Sequence, residues 1–217
     1  MAVCLDSTFS AFDGAVINLM HSLALSCNQI LSPFAKFVSF FGEKGLVLLL
    51  LAVVLLLFKR TRKAGLTVLV AIAVGAIITN VALKNIVART RPYNANEEFY
   101  SYWLFAGATD VGEFSFPSGH ATVTMAFATA VFLSFNKRFS WTAFILPLFT
   151  MFARVYLVVH YATDVICGTI IGGIAGVIAY FIVKSVMDKL LRHKDKKACI
   201  FILEFDLYQK IFNKKQH

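Results

Sequence analysis

Five apolar stretches, separated by short polar segments, dominate the chain. They cover residues 45–58, 64–83, 121–135, 140–159 and 165–183. An α-helix rises about 1.5 Å per residue, so about 20 residues cross the hydrocarbon core of a bilayer. The stretch 45–58 is short for this, and its helix must begin earlier or snorkel at its ends. The pattern predicts an all-α integral membrane helical bundle with five spans.

The N-terminal region 9–41 is apolar, but polar residues interrupt it. They are Asp13, Asn18, His21, Asn28, Pro33 and Lys36. This pattern is typical of helices that lie in the membrane interface, and a sixth span is the alternative. The sequence after Lys184 is basic. We therefore predict an N-terminal interfacial segment (1–36), a membrane-embedded domain (37–187) and a basic cytoplasmic tail (188–217).

The composition excludes the soluble classes of protein. Hydrophobic residues make up 59% of the 217 residues, charged residues 15%, and the mean hydropathy is +0.73. Soluble domains average about 45–50% apolar and about 25% charged residues. A soluble enzyme and a disordered chain are therefore excluded. The four cysteines share no short spacing, which argues against a disulfide framework.

The net charge of +9 is unevenly distributed along the chain. Segments 59–63 and 136–139 and the tail from residue 184 hold 4, 2 and 9 of the 21 basic residues. The positive-inside rule places these segments in the cytoplasm. The connections 84–120 and 154–164 then face the other side of the membrane. The charge therefore orients the chain in its membrane, and nucleic acid is not an expected partner.

Two clusters of chemically active residues lie on that outer side. Lys84 and Arg91 are seven residues apart, so they share one face of a helix. Ser118 and Gly119 open the third span, where backbone N–H groups point outward and attract an anion. His120 follows as a candidate proton donor. Membrane-edge snorkelling for the cations and a simple N-cap for Ser118 are the alternatives.

A third cluster contains Arg154, His160 and Asp164. His160 and Asp164 are four residues apart, so on a helix they would lie on the same face. The carboxylate would then fix the tautomer of the imidazole and leave its other nitrogen free to attack. Arg154 lies off that face and is expected to end the preceding helix. An interfacial salt bridge is the alternative. Ionisable residues at membrane depth are costly and usually functional.

Together the clusters favour phosphoryl transfer. Fixed cations would stabilise the phosphate oxygens, a histidine would attack in line, and an acid would protonate the leaving group. The sequence shows no cluster with metal-ligand spacing, so no cofactor is predicted. The alternative outside the enzymes is an anion transporter, but this sequence shows no internal repeat of the kind that many transporters have.

The three clusters resemble the signature motifs of the type 2 phosphatidic acid phosphatase superfamily, the integral-membrane lipid phosphatases related to vanadium haloperoxidases. Lys84 to Pro92 matches the first motif, Pro117 to His120 the second, and Arg154 to Asp164 the third. The family usually has Ser before the arginine of the third motif, where this chain has Ala153. The resemblance covers roughly residues 37–187.

The resemblance implies a role for each matched residue. His160 would be the nucleophile that forms a phosphohistidine, Asp164 would orient it, and His120 would protonate the leaving oxygen. The remaining matched residues would bind the phosphate without a metal: Lys84, Arg91, Ser118, Gly119 and Arg154.

The substrate class implied by the resemblance is a lipid phosphate. A site on the non-cytoplasmic face of the cell membrane suits undecaprenyl diphosphate on the outer leaflet. Phosphatidylglycerophosphate and phosphatidate are alternative substrates, and an oxidative enzyme using vanadate or a non-hydrolytic lipid-binding protein are alternative functions. The oligomeric state stays open.

Three further features have two interpretations each. Arg89 lies outside the motifs and either contacts a polar headgroup or has no role in the site. The aromatic residues of 93–115 either form a belt at the membrane–water interface or cover the lipid headgroup as a lid. Gly168, Gly172 and Gly176 permit close helix packing, within the chain or at a dimer seam.

Overall fold

The computed structural model describes residues 2–112 and 114–192, which form helices joined by short connections. Within these ranges the only extended pairing is an isolated bridge between Thr90 and Phe114. The helices are α1 (Ala2–Gly42), α2 (Leu46–Leu56), α3 (Arg62–Val87), α4 (Pro92–Ala95), α5 (Glu97–Ala106), α6 (Gly119–Ser134), α7 (Lys137–Tyr156) and α8 (Ala162–Arg192). The all-α membrane class is thus confirmed. The part of the predicted tail from residue 193 onward lies outside the described residues.

Helix α6 is the centre of the bundle, packed between α3 and α8. The glycines of α8 make this packing close. A Cβ atom on Gly168 would lie 2.5 Å from the backbone oxygen of Ser118, and one on Gly176 would lie 2.6 Å from Cβ of Thr129. Ser118, which precedes α6, and Thr129, within α6, belong to the same chain, which confirms packing within the chain as the role of the glycines.

Element α1 consists of two helical segments that meet at a kink at Cys27, where the backbone leaves helical geometry, and it packs against α7. Pro33 lies six residues after the kink. Gly45, at a positive φ of 65°, starts α2, and the two helices are bent by 50° relative to each other. The predicted domain boundary at residue 36 falls inside α1, and the division into three segments stays a prediction.

Three of the described helices are long and apolar enough to cross a membrane: Arg62–Val87, Lys137–Tyr156 and Ala162–Arg192. A fourth span results if the bent pair of α1 and α2 crosses as one unit. Helix α6 is apolar but shorter, with 16 residues. The predicted number of five spans therefore stays a prediction.

The ends of four helices meet on one side of the bundle. They are the C-terminal ends of α3 and α7 and the N-terminal ends of α6 and α8. The backbone N–H of Ser118 donates to the backbone oxygen of Asp164 at 3.0 Å, which ties the starts of α6 and α8 together. Helix α3 contains a π-helical turn at Ile77–Leu83 just before this end. Such turns frequently occur at functional sites.

Candidate active site

A cavity of about 220 Å³ lies where these helix ends meet. Six of the eight residues predicted from the sequence line it: Lys84, Arg91, Gly119, His120, Arg154 and His160. The other two, Ser118 and Asp164, are fully buried behind it. No carboxylate is present among the described residues that line this cavity. The three cations therefore create a positive pocket suited to a phosphate group.

His160 lies in the turn between α7 and α8, and Asp164 lies in the first turn of α8. His160 Nδ1 is 3.6 Å from Asp164 Oδ2, just beyond hydrogen-bond distance, and Oδ2 accepts a hydrogen bond from the backbone N–H of Tyr161 at 2.9 Å. The sequence prediction that both residues share a helix face is therefore wrong. A turn brings them together instead, with the carboxylate at the helix start.

The turn that presents His160 has a strained backbone. Val158 is fully buried and adopts a φ of +54°, which a β-branched residue rarely does. Backbone strain of this kind costs of order 1–3 kcal/mol and clusters at functional sites. Surrounding packing holds the turn in the conformation that directs His160 to the cavity.

The electrostatic environment of His160 favours the neutral imidazole. The side chain is only 2% exposed, and its Nε2 is 3.3 Å from Nη1 of Arg91. Burial first, and then the charges of Arg91, Arg154 and Lys84, hold the pKa of His160 well below its usual value of 6.5. A neutral ring with Nδ1 directed at Asp164 has Nε2 available as a nucleophile.

Backbone carbonyl groups orient the guanidinium of Arg91. Its nitrogens donate to the oxygens of Gly112 at 2.6 Å, Val159 at 2.6 Å and Val111 at 3.1 Å. No carboxylate pairs with Arg91 among the described residues. Its positive charge is therefore held in place and remains unneutralised beside the cavity.

Arg154 and Ser118 each have a buried polar atom without a partner among the described residues. These atoms are Arg154 Nε and Ser118 Oγ. Buried polar groups without partners are rare because desolvation costs about 1–3 kcal/mol. The start of α6 also directs backbone N–H groups of its first turn away from the helix. Phosphate oxygens are the ligands that such donors prefer.

Arg89 is the main feature that the sequence analysis missed. It is 1% exposed and donates to three carboxylates: Asp164 at 2.7 Å, Asp13 at 2.8 Å and Asp6 at 2.7 Å. Its guanidinium carbon also lies 3.8 Å from the ring centroid of Tyr161. Burial opposes the charge, but the three carboxylates raise the pKa of Arg89 above its usual range. The headgroup contact considered for Arg89 is therefore wrong.

Asp13 completes this network from helix α1. Its carboxylate accepts the backbone N–H of Thr163 at 2.9 Å and the hydroxyl of Thr163 at 2.7 Å. The side chain is 1% exposed. The sequence signal is an acidic residue inside an otherwise apolar segment. A buried acid of this kind requires a cation, and Arg89 supplies it.

The connection 93–115 folds into α4 and α5, and its aromatic residues pack on the protein. Tyr93 stacks on Trp103 with ring centroids 4.9 Å apart, and its hydroxyl donates to Asp110 at 2.7 Å. Tyr102 stacks on His21 of α1 at 3.6 Å. These contacts fix the loop beside the cavity, where its residue Val111 forms part of the lining.

Comparison with known proteins identifies the family. The family model described as the PAP2 superfamily matches residues 64–188. The chain belongs to the PAP2 superfamily. This confirms the resemblance stated above, and with it the prediction of a phosphoric ester hydrolase.

Three relatives illustrate the range of the superfamily. An undecaprenyl-diphosphatase from Sulfolobus acidocaldarius is 32% identical over 150 residues, covering 68% of this chain and 69% of the relative. A lipid A 4′-phosphatase from Bacteroides thetaiotaomicron is 31% identical over 176 residues, covering 77% and 78%. The crystal structure of a transmembrane PAP2-type phosphatidylglycerolphosphate phosphatase from Bacillus subtilis has a TM-score of 0.58, with 22% identity over 87% of this chain and 90% of that one. This last likeness confirms the fold.

Proposed function

We propose that this protein is a membrane lipid phosphatase that hydrolyses undecaprenyl diphosphate through a phosphohistidine. The observation that carries the proposal is the cavity lined by three cations beside the neutral imidazole of His160. A transporter needs to release its anion on the other side, whereas a buried nucleophile beside the bound anion serves a covalent step.

The first chemical step is in-line attack. His160 Nε2 forms a bond to phosphorus while the bond between phosphorus and the leaving oxygen breaks, and His120 gives that oxygen a proton. Lys84, Arg91 and Arg154 stabilise the charge on the equatorial oxygens. Asp164 stabilises the imidazole as it gains positive charge.

The second step releases phosphate. A water molecule attacks the phosphorus of the phosphohistidine, and His120, now deprotonated, accepts a proton from the water. The bond between phosphorus and Nε2 breaks, which returns His160 to its neutral form. Both steps use side chains of this protein, so activity is expected in the presence of a chelator.

Two lines of support favour a lipid diphosphate on the outer leaflet. The basic segments 59–63 and 136–139 lie at the helix ends opposite the cavity, which the positive-inside rule assigns to the cytoplasm. The cavity then faces the non-cytoplasmic side of the cell membrane.

The name of the Sulfolobus relative supports a prenyl diphosphate. The name of the Bacteroides relative favours a second candidate, a lipid A phosphate, and phosphatidylglycerophosphate remains a third.

A phosphate-release assay tests the proposal. Purified protein in detergent with EDTA is given undecaprenyl diphosphate, phosphatidylglycerophosphate, phosphatidate and lipid A. We expect the highest kcat/KM for undecaprenyl diphosphate and a phosphorylated protein after acid-free quenching. His160→Asn should abolish both signals. Full activity of this variant would contradict the mechanism, and anion flux through liposomes without phosphate release would favour transport.

A further inference from the structure

A second, larger cavity adjoins the phosphate site. Its volume is about 620 Å³, and it shares Val111, His120 and Arg154 with the first cavity. The end of α1 and the loop after α5 form its other walls. Because His120 lines both cavities, a substrate group in the second cavity would lie next to the leaving oxygen that His120 is proposed to protonate.

Two groups on α1 point to an anionic ligand in this cavity. Lys36 and Ser39 are three residues apart, so they share a helix face, and both line the cavity. The Ser39 side chain is 8% exposed, and its hydroxyl has no hydrogen-bond partner among the described residues. Lys36 forms no ion pair with any described residue and is exposed. A phosphate oxygen would satisfy both donors.

Glycine at position 107 allows the Lys36 ammonium to approach the loop. A Cβ atom at Gly107 would lie 2.9 Å from Nζ of Lys36, and the backbone there has a φ of +63°. A larger residue would both strain the turn and displace the ammonium. The absence of a side chain at Gly107 therefore leaves room for the Lys36 ammonium beside the loop.

Two carboxylates, Asp110 and Glu43, also line the cavity. Asp110 accepts hydrogen bonds from the Tyr93 hydroxyl at 2.7 Å and from the backbone N–H of Gly112 at 2.9 Å. Glu43 is an electrostatic neighbour of Arg154. Lys36 is thus the one cation of the described lining that is neither shared with the first cavity nor paired.

We propose that Lys36 and Ser39 bind the inner phosphate of a lipid diphosphate while the terminal phosphate occupies the first cavity. This inference rests on the proposed function and deepens it. The terminal phosphate of a diphosphate ester carries up to two negative charges and the inner one carries one. Three cations and no carboxylate are found in the described lining of the first cavity, whereas Lys36 and the shared Arg154 line the second together with Asp110 and Glu43. The first cavity therefore suits the more highly charged terminal phosphate and the second the inner one.

The proposed subsite predicts the product of the reaction as well as its substrate. When His160 attacks the terminal phosphorus, the bond to the bridging oxygen breaks, and that oxygen stays on the inner phosphate. The bridging oxygen takes the proton from His120. The leaving product is then a lipid monophosphate beside Lys36 and Ser39, in the cavity next to the one where water attacks the phosphohistidine.

The test compares two substrates that differ by one phosphate. Farnesyl diphosphate and farnesyl monophosphate are assayed for phosphate release with the full-length protein in detergent. We expect Lys36→Gln to lower kcat/KM for the diphosphate about tenfold or more, since a hydrogen bond to a charged group is lost. The monophosphate should change less than about twofold. Ser39→Ala should show the same selectivity with a smaller loss.

Lys59→Gln is the matched control, because Lys59 is an exposed lysine remote from both cavities. It should leave both substrates unchanged. Equal losses for both substrates in Lys36→Gln, or no loss for either, would overturn the subsite. A wild-type protein that releases phosphate from no lipid phosphate would instead overturn the proposed function, so the two failures are distinguishable.

Discussion

His160 shows how a buried position beside cations keeps an imidazole neutral, the form that the proposed nucleophile requires. Its imidazole has lost contact with water, and three cations surround it. Both effects oppose protonation, so the pKa lies below 6.5 and the ring stays neutral as the pH falls through 6.5. Protonation is complete only below the lowered pKa.

The lowered pKa of His160 can be tested by NMR. In protein with ¹⁵N-labelled histidine, the His160 signals, assigned with His160→Asn, should remain those of a neutral ring at pH 6.5. Replacing Lys84 with Met removes one of the cations, so the midpoint should move to higher pH. Lys59→Met should not move it. A midpoint at or above 6.5 in the wild-type protein would contradict the electrostatic argument.

We expect Arg89 to act through Asp164, whose carboxylate it contacts at 2.7 Å and which lies 3.6 Å from His160. Removing the guanidinium leaves Asp13 and Asp164 buried without their cation, which costs about 3–5 kcal/mol in comparable buried pairs. We therefore expect Arg89→Ala to lower the free energy of unfolding by about that amount. Thermal unfolding in detergent measures this, with Arg60→Ala, an exposed arginine, as control.

Arg89→Lys separates positioning from stability. Lysine keeps the charge, but it has no planar fork that can serve three carboxylates at once. With most of the fold retained, kcat should fall about tenfold or more while KM stays within about threefold, since binding depends on other cations. A loss confined to thermal stability would mean that Arg89 is structural alone.

At the scale of helices, the interface between α6 and α8 sets the geometry of the site. Ser118 and Asp164 lie at its outer end and are joined by a backbone hydrogen bond. A wider spacing between the helices would separate the start of α6, where we expect the anion to bind, from the carboxylate of Asp164 next to His160. The small residues of α8 are therefore part of the active-site geometry.

A pair of glycine variants tests this interface. A Cβ atom on Gly172 would lie 3.0 Å from the backbone nitrogen of Ala126 and closer still to the oxygen of Thr122, neither of which can move freely. Gly173→Ala is the matched control, since nothing lies within 4 Å of its Cβ position. We expect Gly172→Ala to lower the melting temperature in detergent and Gly173→Ala to keep or raise it, because alanine favours a helix by about 1 kcal/mol. Equal effects of the two variants would contradict the close-packing argument.

At the scale of the whole molecule, the positive charges perform two separate tasks. In the proposed orientation, the basic residues at one end lie on the cytoplasmic side, while Lys84, Arg91 and Arg154 at the other end line the cavity. The second group would then oppose the positive-inside rule, a cost that an anionic ligand would offset.

Cysteine labelling tests this orientation. In a background in which all four cysteines are replaced by serine, Ser101→Cys lies in α5 near the cavity and Lys59→Cys at the opposite end. A membrane-impermeant maleimide added to intact cells should label Ser101→Cys and leave Lys59→Cys unlabelled until the membrane is broken. The reverse pattern would contradict the outer-leaflet assignment.

Much of the site could be predicted because its residues lie in short segments. Lys84 and Arg91, and likewise Ser118 to His120, are each placed by one local stretch of chain. The relation between His160 and Asp164 was harder to predict. Their spacing fits a helix, but the left-handed backbone at Val158 makes a turn there, and packing rather than propensity imposes that conformation.

The sequence by itself determined that the chain is a membrane protein, that its fold is all-α, and which eight residues are candidates for the site. Hydropathy and motif spacing are local properties of the chain, so they can be read without the tertiary structure. Only the tertiary structure decided how α1 joins the site. Asp13 pairs with Arg89, and Lys36 and Ser39 face the cavity next to His120. These partners are far apart in the sequence and meet only because α1 packs along α7, an arrangement that depends on the fit of whole helix surfaces.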